Sequence, residues 1–92
     1  MINGDLNEFM DYLHIGFELI FVYDGKKYFL QGLTVDGNNT LFLDRWEPTF
    51  EASVWKCTGV GLKYPVDEFL EARIWNGKKF MEVEQEIEWV DC

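Results

Sequence analysis

The sequence predicts an α+β fold: a three- to four-stranded antiparallel sheet with a short N-terminal helix and two C-terminal helices packed on it. Three observations carry this. An apolar stripe at helical spacing opens the chain, the alternating run FELIFVY follows it, and Asp-Gly turn signals separate the later β-rich stretches. The 92 residues are read as a single domain, 1–92.

Asp5 precedes Leu6, Phe9, Met10 and Leu13, whose spacing places them on one side of a short helix, with Glu8 positioned for a capping box and Gly16 as the stop. In FELIFVY, Phe17, Leu19, Phe21 and Tyr23 share one face while Ile20 and Val22 take the other, so this strand is expected to be covered on both sides for much of its length. Asp24-Gly25 tolerates the positive φ of a type I′ turn, which predicts that Lys26 to Leu33 pairs back antiparallel. A second turn at Asp36-Gly37-Asn38-Asn39 leads to a third strand, TLFLDRW, stopped by Pro48. Residues 53–58 add a fourth strand, punctuated by Gly59 and Gly61. Pro65 opens a helix with Val66, Phe69 and Leu70 on one face, reaching about Ala72.

The stretch MEVEQEIEWV, residues 81–90, carries glutamate at 82, 84, 86 and 88. As a strand it would show a row of carboxylates about 6.8 Å apart, a phosphate-like ladder. As a helix, each second residue turns by about 200°, so Glu82 and Glu86 form one stripe and Glu84 and Glu88 another, around Phe80, Val83, Ile87 and Val90. The helix is favoured because glutamate is a good helix former, and it leaves Trp89 outside the apolar arc. A local echo is also present, Tyr23-Asp24-Gly25-Lys26-Lys27-Tyr28 against Trp75-Asn76-Gly77-Lys78-Lys79-Phe80. It is too short to be a repeat, and its two copies allow different outcomes, a hairpin first and a helix start second.

Composition narrows function. Seventeen acidic residues against eight basic ones give a formal charge of −9, which opposes direct nucleic-acid or anionic-membrane binding and steers the chain toward basic protein surfaces. The start of the chain has no basic leader and apolar h-region, and no apolar run reaches a membrane span, so a soluble cytoplasmic protein is expected. Cys57 and Cys92 are too few and too far apart for a disulfide scaffold or zinc site and are read as free thiols. Asn38-Asn39-Thr40 is read as a turn.

The segments LFLDRWEP, YPVDEFLEARIWNGKKF and EVEQEIEWVD resemble those of small uncharacterised acidic proteins encoded by Gram-positive gut bacteria and their mobile elements. The resemblance covers roughly the last half of the chain. It implies no activity and supplies no catalytic residue.

No catalytic site is expected. His14, the only histidine, suits a helix C-terminus. Cys57 follows Lys56 without a base or signature and reads as a small apolar strand residue. Ser53 lacks a nucleophile-elbow context. Asp36-Gly37-Asn38-Asn39 lacks the ligand pattern of a calcium loop, and Gly59-Val60-Gly61 lacks the rest of a phosphate loop, so no metal or cofactor is expected. Trp46, Glu47 and Glu51 have the anchor-plus-charge composition of a contact surface, although Trp46 packed at a sheet edge explains the same residues. In the helical reading, Trp89 joins Glu82 and Glu86 as partner-binding candidates.

The function expected is that of a non-catalytic acidic protein-binding domain. It would mask a basic surface of a partner as an inhibitor, an immunity protein, an anti-defence factor or a DNA mimic does, and would be a monomer or weak dimer. The alternative is a structural or accessory domain that self-associates through an apolar patch.

Overall fold

Helix-forming and strand-forming patterns alternate as follows in a computed structural model that describes residues 1–91: α1 (Leu6–His14), β1 (Leu19–Tyr23), β2 (Lys26–Val35), β3 (Asn38–Glu47), β4 (Glu51–Thr58), α2 (Val66–Glu71), α3 (Phe80–Val83) and β5 (Glu88–Asp91). One 3-10 turn, Glu84–Glu86, joins α3 to β5. Cys92, expected as a free thiol, lies outside the described residues.

Helix α1 starts where Asp5 Oδ1 accepts the amides of Asn7 and Glu8, at 2.7 and 3.4 Å. It ends at Gly16, whose φ of +73° a glycine adopts without strain. The Asp24-Gly25 and Asp36-Gly37 pairs both have positive φ at their two central positions, as type I′ hairpin turns require. They fold β1, β2 and β3 into a meander, β4 adds to β3, and the sheet has the order β4-β3-β2-β1-β5 with every neighbour antiparallel.

This corrects the expected strand count: the sheet has five strands, not three or four. The fifth comes from the segment read as a helix. Phe80 to Val83 is helical, but the chain becomes extended at Ile87, and Glu88 and Trp89 pair with Val22 and Phe21 of β1. A helix continued to Val90 would leave that edge of β1 without hydrogen-bond partners. Ile2 completes the arrangement, donating to the Ile87 carbonyl at 2.8 Å and accepting from the Trp89 amide at 2.9 Å.

The register gives the sheet two unlike faces. Leu19, Phe21, Tyr28, Leu30, Leu41 and Leu43 point to the helices and are buried. Ile20, Val22, Phe29 and Phe42 point the other way and stay half-buried, so β1 is not covered on both sides. On the helical side, Tyr64 lies against β2 where Gly32 has no side chain; a Cβ there would strike the Tyr64 ring. Trp75, in the loop between α2 and α3, is fully buried against Phe21, Tyr23, Tyr28, Phe69 and Phe80, with ring centroids 5.1 to 6.2 Å apart.

Asn76 and Gly77 hold that loop in a tight turn, with φ of +55° and +80° and reciprocal hydrogen bonds between Trp75 and Lys78. The two echoed segments therefore make the same kind of turn, and the second also leads into α3. Trp75 Nε1 is buried with no hydrogen-bond partner among the described residues, so the indole stabilises through its area alone. Trp75→Ala should cost about 3–5 kcal/mol of unfolding free energy. Trp75→Phe should cost less than half of that in urea titrations, because it also removes an unpaired buried donor.

Candidate functional site

Strand β3 ends at Glu47, just before Pro48, as expected. Trp46, at 37% exposure, stacks on Phe29 of β2 with centroids 4.7 Å apart and planes 25° from parallel. Glu47 pairs with Lys27 at 3.5 Å, and Lys56 lies 5.7 Å from the centre of the Phe42 ring. Trp46 is thus on an interior strand rather than at the sheet edge, and it belongs to the face that the helices leave uncovered.

The glutamate series has neither of its anticipated forms. Glu82 Oε1 accepts the Lys79 amide at 2.8 Å, where it caps α3, and lies 3.7 Å from Arg73. Glu84 binds the Met1 amino group at 2.9 Å. Glu88 accepts from the Asn3 side chain at 2.7 Å. Only Glu86 of the four is exposed and without a partner among the described residues. Trp89 is half-buried, its ring edge-on to Phe9 and Tyr12 at 5.4 and 5.8 Å, so it joins β5 to α1. Glu82, Glu86 and Trp89 therefore do not meet Trp46 and Glu47.

Glu51 lies elsewhere again, opposite Arg45 in the β3–β4 register and at the rim of a cavity of about 480 Å³. Tyr23, Tyr28 and Trp55 form its aromatic walls, and Lys26, Arg45 and Arg73 line it. Both echoed turns frame it: Asn76 Nδ2 donates to Tyr23 Oη and to Asp24 Oδ2, each at 3.3 Å. Arg45 is held by an Nε donation to the Thr49 carbonyl at 3.1 Å. None of these cations was singled out from sequence, because what unites them is the register that sets Tyr28 opposite Arg45 and the turn that carries the 72–77 loop back to β1.

Another cavity, of about 460 Å³, is bordered by His14, Lys63, Tyr64, Asp67 and Glu68. His14 is the last residue of α1, the helix-end position expected of it. The Cys57 thiol is half-buried, and burial, reinforced by Glu68, raises its pKa, which disfavours the nucleophilic thiolate. Asn38 and Asn39 do more than turn the chain. Asn38 Oδ1 accepts the Gly61 amide at 2.9 Å and Asn39 Nδ2 donates to the Leu62 carbonyl at 2.8 Å, so the 59–62 bend is clamped. Among the described residues no group of three or more His, Cys, Asp or Glu is placed to hold a metal ion, and no helix is long and apolar enough to cross a membrane.

Burial also raises the Tyr28 pKa, with the Arg45 charge opposing and Asp24 and Tyr23 adding to the rise. The native state thus keeps a phenolic proton that the unfolded chain releases, so stability falls as pH climbs past the ordinary phenol value. Tyr28→Phe should flatten this alkaline loss between about pH 9 and 11, measured by urea unfolding across that range.

No protein-family model, no curated protein and no solved structure matches this chain.

Proposed function

We propose that this chain is a non-catalytic acidic binding domain that docks a basic surface of a protein partner through the uncovered face of its sheet. The observation that carries this reading is the face itself. Ile20, Val22, Phe29, Phe42 and Trp46 form an apolar centre outside the helix-packed core, and an apolar centre with a charged rim is the usual anatomy of a contact surface.

Strand parity adds Asp44 and Glu88 to that face, the bulge opposite Lys27 adds Glu47, Lys27 and Lys56 oppose them, and the whole chain carries −9. Charge of this sign speeds encounter with a basic partner, and Trp46 stacked on Phe29 supplies a preordered aromatic anchor. An inhibitor, an immunity protein or an anti-defence factor would use such a surface to cover a basic site on its target.

A second reading rests on the far end of β2, where Leu33 and Val35 are 48% and 43% exposed. An accessory domain that self-associates would bury these side chains. Sedimentation over a range of concentrations separates the two, since a strict monomer removes the self-association reading.

For the leading reading, a partner captured from the source cell at low ionic strength should bind the purified chain with an association rate that falls steeply with salt. Trp46→Ala should weaken the dissociation constant by about tenfold or more, while Glu86→Gln should change it little. Affinity indifferent to both salt and Trp46→Ala, or no partner retained at low salt, would sink the proposal.

A further inference from the structure

Three of the eight basic residues of this acidic chain, Lys26, Arg45 and Arg73, converge on the cavity between the two echoed turns, where among the described residues Glu51 is the one acidic side chain in the lining and Asp24 lies just behind Lys26. We propose that this cavity is a binding site for a small organic oxyanion, a phosphate monoester or a carboxylate carrying a flat apolar group. The site lies on the helix-covered side of the sheet and is independent of the docking face proposed above.

The donors are built in. Tyr28 is 92% buried, lines the cavity, and has no hydrogen-bond partner for its hydroxyl among the described residues. The hydroxyl oxygen itself is open to the cavity rather than buried, so it can donate to a ligand acceptor there. Tyr23 Oη accepts from Asn76 and so keeps its own proton to donate. The Arg45 guanidinium is fixed through Nε, which leaves its terminal nitrogens available in a fork suited to two oxygens.

Lys26 is loosely engaged, 3.9 Å from Asp24, and Arg73 donates one terminal nitrogen to the Gly77 carbonyl at 3.2 Å with Glu82 at 3.7 Å, ion pairs long enough for an incoming anion to compete with. Guanidinium and ammonium groups only donate and carry positive charge, and the hydroxyls can donate beside them, which favours an oxyanion. Trp55, Val54 and Ile74 supply an apolar wall for a flat group, and about 480 Å³ is within the range of small-molecule sites.

The test is a titration of the ¹⁵N-labelled chain at low salt with phenyl phosphate, benzoate, inorganic phosphate and neutral benzyl alcohol. Saturable shifts confined to residues around Lys26, Arg45 and Arg73 are expected with phenyl phosphate or benzoate. The first alone assigns phosphate esters, and the second alone assigns carboxylates. Arg45→Gln and Tyr28→Phe, each shown to be folded by its spectrum, should weaken binding about tenfold, the loss of one charge-assisted hydrogen bond, while Lys56→Gln should not. Lys26→Gln provides the same test without altering a strand-interior residue. The proposal is overturned if neither organic anion binds at millimolar concentration, if benzyl alcohol or inorganic phosphate binds as well as the tighter of the two organic anions, or if Lys56→Gln weakens binding as much as Arg45→Gln.

Discussion

The burial of Trp75 against the sheet is the contact on which the rest of this structure depends. The residue belongs to a loop, yet its ring meets Phe21 of β1, Tyr28 of β2, Phe69 of α2 and Phe80 of α3. A short chain buries too little surface to hold three small helices by their own propensity, and α2 and α3 have only six and four residues. These helices exist because Phe69 and Phe80 complete an aromatic cluster whose centre is Trp75. Phe9 extends the cluster to α1 by stacking on Phe80 at 5.5 Å.

Placing a loop tryptophan so deeply has a geometric consequence. The chain must turn sharply just beyond it, and Asn76-Gly77 does so with the backbone chemistry that Asp24-Gly25 uses in the β1–β2 hairpin. The two turns then lie side by side, joined by Asn76 to Tyr23 and Asp24. The short echo in the sequence thus records a shared turn type rather than a duplicated unit. The gap between the turns is the cavity, and the lysine that follows the first turn, Lys26, points its charge there together with Arg73 from before the second.

Local pattern made much of this fold legible. The Asp5 cap, the β1–β2–β3 hairpins and the helix after Pro65 each rest on residues within one turn or one strand of each other, where spacing and turn chemistry decide the outcome. The fifth strand was not legible because its reason is remote. Ile87, Trp89 and Val90 suit a strand, but four residues are too few to show a period, and the decisive demand comes from the open edge of β1 and from Ile2. The candidate site was less legible still. Trp46 and Glu47 do share one exposed face, whereas Glu51, the C-terminal glutamates and Trp89 are distributed to other places by a register that no local pattern contains.

The glutamates show why acidic composition is a poor guide to an acidic surface. Glu82 caps a helix, Glu84 receives an amino group and Glu88 holds Asn3, so alternate spacing in the sequence serves three separate local needs. Basic residues behave in the opposite way. They are few, yet three of the eight, Lys26, Arg45 and Arg73, line one cavity. Net charge governs long-range encounter, because distant charges add, but it is screened beyond about 8 Å at physiological salt. Within a cavity the nearest groups dominate, so a negative net charge at long range and an anion held at close range are compatible in one chain.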